Sequence, residues 1–388
     1  MKPSIAVIIV AIALAFMPGD AAAVCTRVGD VVTCSGPGLD SFITNDRVDM
    51  TILSDGGVSN IPNINNNGSC PLSFPAIVVG NGSRVVNFGF VIGSGACASG
   101  IDAGHDAVIV NANFIETLDN VGHGIAAGNN SQVTQSGQIS THGQSAYGIY
   151  VGDNSQVTVE AGSTTVTEGG GSAAIFGFSG TSVTMRGALS ATGPFSHGIE
   201  FLGGGSVDVS GTISTSGIGS SGVRIYGDFA DISHSGTISA IATANVTAAN
   251  NYAGGIDVNA ATVHVANSGT ITGQRYGIRA QDFGTATIVN NGVITATANP
   301  AVAADAAVVT VRSTASGEAT VENYGTITAN GGIAAIAGGD EPDRVTNAGT
   351  IFGDVRLGGG DDVYFVSDNA RTVGAIDLGS GDDTLVVL

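Results

Sequence analysis

The sequence predicts an all-β fold: a right-handed parallel β-helix of about eleven or more coils, with three short strands in each coil of about 24 residues. Three observations predict it. A glycine-led apolar run recurs from Gly89-Phe90-Val91 through Asn113-Phe114-Ile115, Gly137-Gln138-Ile139 and Gly162-Ser163-Thr164. It continues as Gly187-Ala188-Leu189, Gly211-Thr212-Ile213 and Gly236-Thr237-Ile238, and then from Gly269-Thr270-Ile271 to Gly349-Thr350-Ile351. The steps are 23 to 25 residues, with two of 33. A second run keeps phase with the first: Gly100-Ile101, Gly124-Ile125, Gly148-Ile149, Gly198-Ile199, Gly222-Val223, Gly255-Ile256, Gly277-Ile278 and Gly332-Ile333. A third is a strict alternation, as in Val157-Thr158-Val159, Val183-Thr184-Met185, Val207-Asp208-Val209 and Val263-His264-Val265. Aliphatics at period two, separated by Gly, Asn and Ser, read as strands and turns, and a steady period outranks any local assignment. Stacked coils about 4.8 Å apart would place like residues in columns.

One column is polar. Two residues before the first anchor stand Asn87, Asn111, Gln135, His234, Asn267, Asn290, Asn323 and Asn347. Side-chain amides at a fixed offset can hydrogen-bond from coil to coil, and Asn tolerates the left-handed backbone of a corner.

The chain of 388 residues carries 60 glycines, no Trp and 11% charged side chains, with a formal net charge of −20. Hydrophobic residues reach 43% and are phased, which argues against a disordered low-complexity chain. Lys2 is the only lysine. Such an acidic surface repels phosphate backbones and anionic lipid, so nucleic-acid binding is set aside.

Residues 1–23 read as a signal peptide: Lys2, an apolar run from Ser4 to Phe16, and Ala21-Ala22-Ala23 before the expected cleavage. The mature chain holds no apolar run long enough for a transmembrane helix. Residues 24–88, with Pro62, Pro71, Pro75 and Asn65-Asn66-Asn67-Gly68, are expected to form an N-terminal cap over the first coil. In an exported chain Cys25, Cys34, Cys70 and Cys97 favour disulfides. Of the three connectivities, Cys25–Cys34 with Cys70–Cys97 is preferred, because residues 25–34 read as a stapled hairpin about Gly29-Asp30.

Both 33-residue steps carry extra segments at corresponding places, near 240–252 and 296–307. Loops leaving one edge of a solenoid suit partner binding, with Asn250, Asn251 and Tyr252 as candidate contacts. His123 and His197 share a column three coils apart, too far to hold one ion, so the histidines are expected to be structural. Two acidic turns, Leu357-Gly358-Gly359-Gly360-Asp361-Asp362 and Leu378-Gly379-Ser380-Gly381-Asp382-Asp383, fit the Gly-x-Gly-x-Asp pattern of calcium-binding nonapeptides. Their 21-residue separation places them on successive coils, so Asp361, Asp362, Asp382 and Asp383 either hold calcium between coils or point into water.

The stretch Gly349-Thr350-Ile351-Phe352-Gly353-Asp354-Val355-Arg356 running on to Asp362, the repeats and the Cys25/Cys34 start resemble the β-helical passenger domains of bacterial autotransporters. The resemblance covers most of residues 24–388. It implies Sec export, display at the cell surface or outer membrane, and a C-terminal translocator barrel. No barrel-like set of alternating strands occurs within residues 1–388, so the passenger is either truncated or reaches the surface by other means; an exposed last coil favours truncation. The implied role is a non-enzymatic, adhesin-like rod that meets a ligand on a host cell, a neighbouring cell or the matrix. The alternative is a secreted β-helix carbohydrate enzyme, a polysaccharide lyase or glycoside hydrolase. Asp102 and Asp153 stand without acidic partners in adjoining coils, and the mature chain has no lysine to act as a base, which favours the rod.

Overall fold

The computed structural model describes residues 24–36, 41–59, 75–242, 253–281, 283–297, 306–313 and 317–388. The signal segment, Cys70 and the loop residues Asn250, Asn251 and Tyr252 lie outside them. The described residues form strands and turns without a helix, and the strands stack in chain order as a parallel β-helix. One sheet of thirteen strands takes a single strand from each coil, from Gly57–Ser59 to Arg371–Val373. A second of twenty-seven strands carries the other two faces. These faces merge because His197–Val209, Ser221–His234 and Gly254–Asn267 each run unbroken through the corner, with a register shift at Gly203/Gly205. Thirteen rungs at about 4.8 Å give a stack of roughly 58 Å.

Alternation along each strand sends every second side chain inward, and parallel pairing puts equivalents above one another. Ile101, Ile125, Ile149, Ile175, Ile199, Val223, Ile256 and Ile278 are therefore in register and wholly buried. Ile115, Ile139, Leu189, Ile213, Ile238, Ile271, Ile294 and Ile327 form the facing column, with buried Thr165 between Ile139 and Leu189. Each such side chain contributes on the order of 2 kcal/mol by leaving water. The anchor glycines keep the two columns close: a Cβ on Gly222 would overlap Ile238 Cγ2 and approach the Gly255 carbonyl oxygen.

The polar column is a hydrogen-bonded ladder. Asn87 Nδ2 donates to Asn111 Oδ1 at 2.7 Å, and Asn111 Nδ2 to Gln135 Oε1 at 2.8 Å. It then lapses: Val159, Met185 and Val209 hold the same register without polar groups. It resumes at His234, whose Nδ1 meets Asn267 Oδ1 at 2.7 Å, and runs through Asn290 and Asn323 to Asn347. The ladder residues are not the left-handed corner positions. Apart from glycines, those are Asp106, Asn130 and Asn154 at one corner, Cys97, Val121, Ser145 and Phe195 at another, and Asn369 near the C-terminal end.

The coils reach further back than the periodicity shows. Phe42–Ile43, Asp49–Ile52 and Gly57–Ser59 form a full coil that pairs with Ile77–Val79, Arg84–Asn87 and Phe90–Gly93. The described residues within 24–88 therefore hold a hairpin, whose second strand pairs with Asp49–Ile52, then one full coil and most of a second. The hairpin joins Val24–Val28 to Val31–Ser35 antiparallel, with Cys25 opposite Cys34 and bonded to it. Cys97 is also disulfide-bonded, and its expected partner Cys70 is not among the described residues. One anchor is displaced: Ile336, not Ile333, stands in register with Val309, because Gly331 and Gly332 both adopt left-handed backbone that ends the preceding strand.

Candidate functional site

One position beyond the inward Ile of the Gly-Ile strands, the side chain points outward. Parallel register there aligns Tyr150, Phe176, Glu200, Arg224, Asp257, Arg279 and Thr310 on seven successive rungs. The corner side of this column supplies His123, Tyr147, His197 and Tyr276. Together they make a strip along one face of the rod, aromatic toward the N-terminal end and charged toward the other.

The aromatic half is a stack of rings. Tyr150 lies 5.4 Å from Phe176 and nearly parallel to it; Tyr147 lies 4.6 Å from Phe176, and Phe178 closes the end edge-on. His123 stacks on Tyr150 at 5.1 Å, and its Nδ1 accepts the Tyr147 amide. The rings face one another along the axis; Phe176 is buried within the stack, while His123, Tyr147, Tyr150 and Phe178 are partly exposed. Burial pushes the His123 pKa down to about 4, so the ring is neutral.

The charged half alternates in sign. Glu200 and Arg224 lie 3.6 Å apart. Arg224 donates to the Tyr226 hydroxyl at 2.6 Å and lies 3.0 Å from His197 Nε2. His197 Nδ1 accepts the Ser221 amide at 3.0 Å. Burial, with the Arg224 charge adding to it, depresses the His197 pKa to about 3. Burial raises Glu200 above the ordinary carboxylate range, against the pull of Arg224. Asp257 grips Arg279 with both oxygens, at 2.8 and 2.6 Å, and the guanidinium lies 4.5 Å over the Tyr276 ring. That ring has room because Gly254 precedes it in the column, where a Cβ would collide with it, and Ala307 follows. Beside it opens a recess of about 90 Å³ lined by Arg275, Tyr276, Arg279, Gln281, Thr310 and Arg312 together with Ala306 and Ala307.

Three of the four aspartates of the acidic turns take a role that neither sequence expectation included. Asp362 Oδ1 accepts the Asp343 amide at 2.7 Å, Asp383 Oδ1 accepts the Asp362 amide at 3.0 Å, and Asp361 Oδ1 accepts the Asp382 amide at 2.9 Å. They clamp one coil to the next. Asp361 and Asp382 are exposed, but Asp362 is fully buried rather than solvated, and its Oδ2 has no partner. Burial and the neighbouring Asp383 and Asp361 charges raise its pKa, although the Asp343 amide opposes this. Among the described residues no three His, Cys, Asp or Glu side chains group closely enough to hold a metal ion.

The expected histidine column survives in altered form: His123 belongs to the ring stack and His197 to the charged half. The strip itself was within reach of the sequence. Its signal was the residue after each Gly-Ile anchor, at Tyr150, Glu200, Arg224, Asp257 and Arg279, which repeat matching on apolar positions passes over.

Comparison of the chain with known protein families, curated proteins and solved structures finds no match.

Proposed function

We propose that this is a non-enzymatic, exported cell-surface passenger, a β-helical rod that adheres through its side to a ligand on a host cell, a neighbouring cell or the matrix. The observation that carries this reading is the strip. Along seven rungs it includes Tyr150, Arg224 and Arg279, held by ring stacking and ion pairs, with Tyr147 and Tyr226 beside them; Tyr and Arg are residue types enriched at protein binding surfaces. A rigid array on a flat face contributes to binding without a large ordering cost. The signal-like residues 1–23 and the resemblance of the repeats to autotransporter passengers support display of such a face outside the cell.

The second reading, a carbohydrate enzyme, is favoured by one feature: Glu200 has a raised pKa and stands two rungs, about 10 Å, from Asp257. Asp257 is committed to Arg279, however, and Arg224 lies between the two carboxylates. Beads coated with the purified chain should adhere to matrix or cell layers. Arg224→Ala combined with Tyr226→Ala should reduce adhesion at least about tenfold, while Thr134→Ala with Thr158→Ala, on another face, leaves it intact. Equal adhesion by both variants would contradict the proposal. New reducing or unsaturated ends after incubation with pectin would favour the enzyme.

A further inference from the structure

We infer that the ligand of the strip is the same strip on a second copy of this chain, running antiparallel to the first; the inference deepens the adhesive reading above and rests on it. Successive rungs of the outward column hold Glu200, Arg224, Asp257 and Arg279, so the sign alternates through an even number of residues. Such a series is its own complement when reversed. A two-fold axis between the Arg224 and Asp257 rungs sets Glu200 against Arg279 of the second copy and Arg224 against its Asp257, and symmetry repeats both. A parallel pairing, rung for rung, puts like charges together at all four positions. The neighbouring outward column agrees. Two residues further along the same strands, Phe178, Leu202, Tyr226, Asn259, Gln281 and Arg312 stand in register. The same axis brings Tyr226 to Asn259, Leu202 to Gln281, and the Phe178 ring to the Arg312 guanidinium, a cation–π pairing.

The contact needs no unpaired charge. The Glu200–Arg224 and Asp257–Arg279 bonds lie along the rod and stay intact, while the Glu200, Arg224 and Arg279 side chains keep exposures of 15%, 31% and 18%. Asp257, at 8%, is too deep for contact and acts through its charge. The net charge of −20 repels two rods at long range, but ions at physiological salt confine that field to about 8 Å, within which the alternating column sets orientation. Six steps of about 4.8 Å by a width of roughly 14 Å give about 400 Å² on each copy. That is the size of a weak encounter and not of a permanent dimer, and several copies on facing surfaces multiply it. Antiparallel pairing is also the orientation in which rods projecting from two facing surfaces meet.

Beads coated with the purified chain should clump with one another, and Arg224→Ala with Tyr226→Ala should reduce clumping at least about tenfold. Orientation is read by oxidative cross-linking of two variants that each carry one added cysteine, Leu202→Cys and Gln281→Cys. Leu202 is 42% exposed, and the native cysteines among the described residues are already disulfide-bonded. A mixture of the two variants should give a covalent dimer, because position 202 faces position 281 across the axis. Leu202→Cys alone should not, since its two copies sit three rungs, about 14 Å, apart, beyond the reach of a disulfide. Cross-linking of Leu202→Cys alone as strong as in the mixture, or none in the mixture, would overturn the antiparallel pairing. Beads that adhere to cell or matrix layers without clumping would remove self-recognition and leave the adhesive reading, and beads that do neither would remove both.

Discussion

Asn290→Ala is expected to cost about 3 to 5 kcal/mol and to loosen the coils on either side before the rest of the rod. Asn290 is wholly buried. Its Oδ1 accepts from Asn267 Nδ2 at 2.8 Å and from the Gly292 amide at 3.2 Å, and its Nδ2 donates to Asn323 Oδ1 at 2.8 Å. Truncation leaves Asn323 Oδ1 without this donor, and reduces Asn267 Nδ2 to the Gly269 oxygen at 3.4 Å and the Gly292 amide to the Asn267 carbonyl at 3.2 Å. A buried group left unpaired costs about 1 to 3 kcal/mol, less whatever one trapped water recovers, and the emptied amide site adds the cost of a cavity. Valine should fare no better, even though Val159 occupies the same register. Val159 has Met185 above it, whereas Asn290 has amides on both sides. Thr287→Ala, outward on the same strand, should change stability by less than about 0.5 kcal/mol. Urea unfolding followed by far-ultraviolet circular dichroism and amide exchange checks both, and an Asn290→Ala chain as stable as Thr287→Ala would contradict the ladder.

Acid and alkali are expected to weaken different parts of the rod. His123 and His197 have folded pKa values of about 4 and about 3 against an ordinary 6.5. The unfolded chain binds their protons more readily, so the stability they contribute is complete above pH 6.5 and is lost as pH falls toward those values. At 1.36 kcal/mol per unit this is on the order of 3 to 5 kcal/mol for each ring. Asp343 has the opposite sign. Burial raises its pKa from 3.8 to about 7, with Asp362 and Glu341 adding to the rise and the Gly339 amide opposing it. The folded chain therefore holds that proton more tightly, and stability falls as pH climbs from about 4 to about 7, by up to about 4 kcal/mol. Amide exchange resolved by coil should show residues 120–230 opening first below pH 5, and residues 340–388 opening first above pH 7. Asp343→Asn should remove the alkaline limb. Uniform opening along the rod at both extremes would rule out this assignment of the protons.

The fold was legible because a solenoid repeats its instructions. The glycine-led anchors and the alternating runs each mark one face, and the fixed offset of Asn87, Asn111 and Asn267 foretold a ladder that the structure contains. The first coil was hidden because Pro71, Pro75 and the Asn65–Asn67 run obscure the period between Gly57 and Phe90, while register depends only on the few strand residues on either side. The strip was harder to read. Nothing local distinguishes Glu200 or Arg224 from any exposed residue, and the chemistry arises only when rungs separated by 22 to 33 residues in sequence become neighbours. The acidic turns carry a role that spacing did not announce. Asp361, Asp362 and Asp383 each accept an amide of the adjoining coil through one oxygen, a bond that neither requires nor excludes the cation that Gly-x-Gly-x-Asp suggested.

Every column described above depends on coils stacking one rung at a time, and pulsed electron-spin resonance measures that directly. Thr134, Ser233, Val289 and Thr346 stand in one outward register, so labels paired with position 134 lie four, six and eight rungs away. In-register stacking predicts narrow distributions centred near roughly 19, 29 and 38 Å, widened by the label tethers. Broad distributions, or distances that follow sequence separation instead of rung number, would contradict the β-helix and with it the placement of the strip.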